Sequence, residues 1–364
     1  MKKEVRYLRM QLKGIDQLLL FSVITLIVLG IIFVYSSSYY RAMSRGEDST
    51  YYLAAHLKRL LIAGVFFLLG IIIPYEMIRK LILPIFILMV ITLFLTLIAG
   101  KTQLGARRSL VISSFGLQVS EFVRLWIVFF LANFFALHSE TADTNRGILG
   151  AIMIFLFVIL LVAIQPSISM AVICFIILII MLIYGGVKFK LLAPTILTSL
   201  AMLILFILFF PHAKYRITSF LSHPTYQVQQ SLIAIGSGGF FGKGPGAGLQ
   251  KFLFLPSIYN DFIFAHIAEE IGFLGVFMVF LFYWMLYLQG ISIAGAVPGE
   301  FTRLLVLGLN ASIFIIFLIH IGVSIGLLPP TGIPLPFISF GGWSLAANLF
   351  AMGIILQASK RRIL

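Results

Sequence analysis

Apolar residues in this chain do not alternate with polar ones. They run on for about 18 or more positions at a time, the length a helix needs to cross a membrane. Reading these runs against their polar, proline and glycine breakers gives ten spans: roughly 18–40, 57–73, 78–99, 120–138, 148–165, 167–184, 191–211, 262–288, 303–327 and 338–358. The pattern predicts an all-α polytopic membrane protein of about ten transmembrane helices, with a large extracytoplasmic loop between spans seven and eight. No internal repeat is evident, so the inverted-repeat signature of many secondary transporters is not supported.

Composition agrees with the pattern: 61% of residues are hydrophobic, 10% are charged, and the mean hydropathy is +1.12. The opening MKKEVRYLRMQLKGID is too long and too charged for a cleaved signal, so the first run is expected to stay as a span. The lone Cys174 cannot form an internal disulfide, and no Cys/His cluster argues for a structural metal. An even number of spans puts both termini on one side. Lys2, Lys3, Arg6, Arg9 and Lys13 at one end and Lys360, Arg361 and Arg362 at the other mark that side as cytoplasmic, with Arg79, Arg146, Lys188 and Glu300. The net charge of +14 is nevertheless spread over both faces. Arg41, Arg45, Lys58, Arg59, Lys101, Arg107, Arg108, Arg124, Lys214, Arg216, Lys243 and Lys251 fall outside, where the positive-inside rule disfavours them. They are either solvated loop charges or the sign of an anionic ligand; no nucleic-acid partner is expected.

Two outer loops, 100–119 and 211–261, exceed what a turn needs. The second carries seven glycines between Gly236 and Gly248, with Lys243 and Lys251 close by. Such a segment brings backbone N–H groups near a phosphate, or is a tightly turning re-entrant piece against other helices. It is not a phosphate loop of the Walker type, since Gly244 rather than Ser or Thr follows Lys243. Glu121 and Arg124, three apart at the start of the fourth span, share a helix face; a structural ion pair between them is the plain expectation, and a functional cavity is the other reading for ionisable groups at membrane depth. Three of the 12 acidic residues, Asp261, Glu269 and Glu270, cluster where the eighth span begins. At about 100° per residue the two glutamates flank His266 on one broad face, as cavity-lining or packing groups expected to hydrogen-bond with it.

The stretches GARRS…QVSEFVR (105–124), QPS (165–167), YQVQQSLIAIGSGGFFGKGPGAGLQKFLFLPSIYNDFIFAHIAEEIGFLG (226–275) and PPTGIPLPFISFGGWS (329–344) resemble the SEDS family of bacterial cell-wall proteins, which includes FtsW, RodA and SpoVE. GLQKFLFLP and TGIPLPFISFGG look closer to the division-type FtsW branch. The resemblance covers the chain as a single membrane domain over 1–364, from a cytoplasmic 1–16 to a cytoplasmic tail at 359–364. It implies a glycosyltransferase that polymerises lipid II on the outer face of the bacterial cytoplasmic membrane. Its implied partners are a class B penicillin-binding protein and other division or elongation proteins. Asp261 matches the residue the family regards as catalytic, the base on the acceptor hydroxyl. Arg108, Arg124 and Lys243 are the cations expected on the leaving pyrophosphate, with Glu121, Gln227 and Ser231 completing the substrate-binding set and a divalent cation, Mg or Mn, as a companion of the pyrophosphate.

The chain departs from the family pattern in ways that keep other readings open. Arg-Trp appears as Arg108-Ser109, Gln-Pro-Ser-Glu as Gln118-Val119-Ser120-Glu121, and the following Lys as Arg124. Gln-Pro-Asp becomes Gln165-Pro166-Ser167, and Pro-Glu-x-x-Thr-Asp becomes Pro256-Ser257-Ile258-Tyr259-Asn260-Asp261, so two carboxylates are absent. Besides the polymerase, a lipid II flippase and a non-catalytic scaffold that activates a penicillin-binding protein stay in view.

Overall fold

The computed structural model describes residues 14–99, 101–103, 106–112, 115–138, 145–165, 167–222 and 224–361. Its helices are α1 (Gln17–Met43), α2 (Tyr51–Ile72), α3 (Tyr75–Ala99), α4 (Ser120–Leu137), α5 (Asn145–Ile164), α6 (Ile168–Tyr184), α7 (Phe189–Phe209), α8 (Pro211–Ser222), α9 (Tyr226–Gly238), α10 (Ile263–Ala296), α11 (Glu300–Ser324) and α12 (Trp343–Ser359). By length and composition α1–α5, α10 and α11 are able to cross a membrane; α6, α12 and the Phe189–Met202 part of α7 are shorter apolar stretches. These ten coincide with the ten apolar runs, and the protein is a multi-pass membrane protein.

The start of α1 and the end of α12 meet on one side of the bundle. The Asp16 backbone N–H donates to Ser359 Oγ at 3.1 Å, and Asp16 Oδ1 caps α1 by accepting from the Leu19 N–H at 2.8 Å. Small residues set the closest packing, as expected where lipid supplies no hydrophobic drive. A Cβ on Gly70 of α2 would lie 2.5 Å from the Phe350 carbonyl oxygen of α12, and one on Gly353 would lie 2.3 Å from that of Phe67. Side chains there would push the two helices apart.

The loops hold what hydropathy did not show. Within 100–119 the chain forms a three-stranded antiparallel sheet, β1 (Lys101–Gln103), β2 (Ala106–Ile112) and β3 (Phe115–Leu117), in the order β1-β2-β3 with Arg107 opposite Thr102 and Val111 opposite Gly116. The all-α reading therefore holds for the membrane body and gains a small sheet. The 211–261 loop is also structured, carrying α8 and α9 before a run of turns. α10 is interrupted at Gly272, whose φ of 66° and ψ of −167° no helix contains and L side chains rarely adopt. A hydropathy scan reads through that break because the residues on both sides are apolar.

Candidate functional site

The chain between Leu249 and Phe262 makes successive turns, with the non-glycine residues Leu253 and Ser257 at φ of 70° and 54°. Leu255, Ile258 and Phe262 are buried with Ala234, Ala265 and Val323 in a small core of their own, which fixes this strap on α9–α11. The Ser257 carbonyl accepts the N–H groups of both Asn260 and Asp261, at 3.0 and 2.9 Å, closing the turn that presents the acid.

Asp261 is half-buried and precedes α10; Phe262, not Asp261, occupies the N-cap, without a side-chain capping bond. Asn260 Nδ2 donates to Asp261 Oδ1 at 2.8 Å. The 332–342 loop seats the acid from the other side: Ser339 Oγ donates to the Asn260 carbonyl at 2.7 Å, and the Phe340 N–H donates to the Tyr259 carbonyl at 3.0 Å. Gly332 faces the carboxylate, and a Cβ there would come within 3.8 and 3.9 Å of its two oxygens.

Around this turn lie cations that the motifs did not single out. The Arg59 guanidinium sits 3.9 Å over the Phe340 ring, and that of Arg41 lies 5.6 Å from the Tyr259 centroid. Arg45 Nη1 donates to the Tyr52 hydroxyl at 3.0 Å. Tyr52, Tyr259 and Phe340 pack ring to ring at 5.0–5.9 Å. Burial raises the Tyr259 hydroxyl above its usual range, with Arg41 opposing, so it stays a neutral donor. On α8, burial lowers the Arg216 guanidinium while the Asp261 charge pulls it back up, which places that arginine in the field of the acid. Among the described residues no carboxylate lies within 4 Å of Arg41, Arg45 or Arg59. All four arginines had appeared in sequence only as members of the disfavoured outer set.

The expected substrate contacts fare differently. Lys243 Nζ is 2.8 Å from Glu269 Oε1, so its charge is committed within the protein. Arg124 is fully buried, donating to Ser312 Oγ of α11 and Asn348 Oδ1 of α12, both at 2.7 Å; it ties helices together rather than facing an outer cavity. No ion pair within 4 Å joins it to Glu121, whose neighbour is Ser344. The expected Glu121–Arg124 pair gives way because the guanidinium reaches across to α11 and α12. Ser231 donates to the Ser324 carbonyl at 2.7 Å and fastens α9 to the end of α11. Gln227, one turn earlier on the same face, is half-buried. The backbone of Arg108 lies in β2, and its side chain falls outside what the structure describes. Ser167 is buried at the start of α6 without a capping bond; Pro166 lies outside the described residues.

Glu269 and Glu270 hold the glycine-rich loop. Glu269 accepts from the N–H groups of Leu249 and Gln250 at 2.8 and 3.2 Å as well as from Lys243. Glu270 accepts from Ser36 of α1 at 2.7 Å and faces Lys251 Nζ at 3.1 Å. His266 Nε2 approaches Glu270 Oε1 at 3.4 Å without hydrogen-bond geometry, so the expected bond between them does not form.

Three comparisons bear on this arrangement. A family model described as cell cycle protein, FtsW/RodA/SpoVE, matches residues 16–363. The chain is 33% identical to Stage V sporulation protein E of Bacillus subtilis (strain 168), covering 95% of this chain and 97% of that protein. It is 32% identical to a probable peptidoglycan glycosyltransferase FtsW of Trichlorobacter lovleyi, covering 94% and 93%. Its fold is similar to a chain of a peptidoglycan synthase complex that coordinates polymerization and crosslinking, with a TM-score of 0.77, 24% identity and coverage of 95% and 97%. It is also similar to the Thermus thermophilus rod shape determining protein RodA, at 0.71, 24%, 96% and 98%.

Proposed function

Because the chain belongs to the FtsW, RodA and SpoVE family of cell cycle proteins, we propose that it is a peptidoglycan glycosyltransferase polymerising lipid II, with Asp261 as its general base. The observation that carries this reading is the pairing of one outer carboxylate with a group of arginines that have no carboxylate partner of their own among the described residues. The reaction needs both. Asp261 takes the proton from the acceptor sugar hydroxyl, the oxygen bonds to the anomeric carbon of the donor, and the bond to the lipid-linked diphosphate breaks. Arg59, Arg41 and Arg45, with Arg216 nearby, stabilise the charge that collects on that leaving group. Arg108 stays a candidate for the same task.

Among the described residues no three His, Cys, Asp or Glu side chains converge to hold a metal ion. A divalent cation, Mg or Mn, would therefore reach the site as a companion of the diphosphate, and no step above depends on it. The site belongs on the outer face of the cytoplasmic membrane, with both termini inside, as the basic ends direct. The likeness to a chain of a synthase complex supports a class B penicillin-binding protein as partner. The test is purified protein with that partner and lipid II, glycan length being read on a gel. Asp261→Asn should abolish long chains while the protein still folds and binds its partner; full-length glycan from that variant would remove Asp261 from the chemistry, and no glycan from the parent protein would favour a scaffold.

A further inference from the structure

The segment from Gly239 to Phe254 is built inside out. Lys251 is only 1% exposed, and Glu269 and Glu270 beneath it are equally buried, whereas Phe241 is 77% exposed and Phe240, Leu249, Leu253 and Phe254 are each at least half exposed. A loop surrounded by water turns its lysines out and its phenylalanines in. The backbone tells the same story. At the Gly272 break the N–H groups of Phe273 and Leu274 donate to the Gly239 and Phe240 carbonyls, at 2.9 and 3.1 Å. In return the Lys243 and Gly244 N–H groups donate to the Glu269 and Glu270 carbonyls, at 3.0 and 2.9 Å. Four main-chain groups freed by the broken helix are thus satisfied within the protein, as irregular backbone at membrane depth requires.

The exposed apolar surface is continuous with the side of α10 that meets lipid. Phe240 stacks on Phe273 at 5.9 Å and Phe273 on Phe277 at 6.1 Å; both α10 rings are exposed on a membrane-spanning helix. We propose that residues 239–254 dip into the acyl region of the leaflet at the outer end of α10, with lipid hydrocarbon as the occupant of the Phe240, Phe241 and Phe254 surface. The dip extends the lipid-facing side of α10 sideways and holds the strap that carries Asp261 at the border of headgroups and chains. It stands on exposure and backbone satisfaction alone, whatever reaction Asp261 performs.

The test uses the full chain with Cys174→Ala, reconstituted in vesicles of phosphatidylethanolamine and phosphatidylglycerol, with a nitroxide at Phe241→Cys or Phe254→Cys. Phe277→Cys serves as the lipid reference and Glu47→Cys, in the exposed connection after α1, as the water reference. The ratio of oxygen to nickel-chelate collisions at 241 and 254 should match position 277 and exceed position 47 several-fold. A ratio like that at 47 puts the loop in water and overturns the proposal. Exclusion of both reagents overturns it too, since protein, such as a second copy, would then cover the patch. Should a labelled chain fail to fold, Phe241→Trp is compared with the parent in lipids brominated along the acyl chains. Added quenching supports insertion; unchanged quenching overturns it.

Discussion

The half of the molecule that carries Asp261 treats two lysines and three arginines in opposite ways. Lys243 and Lys251, in the glycine-rich loop, are laid against Glu269 and Glu270 at 2.8 and 3.1 Å. At the facing ends of α1 and α2, Arg41 and Arg59 rest on the rings of Tyr259 and Phe340, Arg45 donates to the Tyr52 hydroxyl, and no carboxylate approaches the three among the described residues. A ring offers a cation a shallow seat and leaves its fork of N–H donors free for a phosphate; a buried carboxylate uses the charge up. A basic residue near Asp261 is therefore no guide to substrate until its partner is known.

The largest effect that would sharpen this contrast is on stability. Lys251→Met leaves Glu270 as an uncompensated buried charge, which should cost about 3–5 kcal/mol and lower the melting temperature in detergent markedly. A variant as stable as the parent would show that the loop does not depend on its ion pairs. Asp261→Asn comes next: polymerisation should fall by about 100-fold, the scale of a lost general base, with the melting temperature unchanged. Arg59→Ala should follow, with a loss of about tenfold in lipid II use, the scale of one charge-assisted contact, and little loss of stability. Arg59→Lys should recover only part, because a point charge does not replace the fork. If Arg59→Ala instead melts early with its residual activity intact, the arginine is a strut, and the two groups of cations are alike.

Much of the membrane body was legible from hydropathy because each span is an unbroken apolar run, and runs of that length have few alternatives. The small sheet over 101–117 was not, since three short strands leave no long period to detect. The partners of Arg124 were also hidden: Ser312 and Asn348 come from spans far along the chain, and helix-face reasoning sees only near neighbours such as Glu121. The cations around Asp261 were visible individually as misplaced basic residues. Their convergence depends on the 332–342 loop bringing Phe340 to Tyr259, a contact no local pattern encodes. Glu269 and Glu270 were rightly seen as buried polar groups, yet their task follows from the break at Gly272, which opens their carbonyls to the glycine loop.

The smallest expected effect is the most direct test of the contrast, because it concerns the lysine that the family resemblance sends to the pyrophosphate. The Lys243 side chain is 28% exposed, so its bond to Glu269 is partly screened by solvent. When the lysine is removed, Glu269 still accepts the N–H groups of Leu249 and Gln250, and the carboxylate is not left bare. Lys243→Met should therefore lower stability by about 1 kcal/mol or less, the range of a partly exposed pair, and leave polymerisation close to that of the parent. Pairing it with Glu269→Gln closes a double-mutant cycle: a coupling of the same small size assigns the lysine to the glutamate alone. Should Lys243→Met lose polymerisation while its melting temperature holds, and should Glu269→Gln fail to change that loss, the lysine must leave Glu269 for the substrate during the reaction. The division between spent lysines and available arginines would then describe only the resting protein.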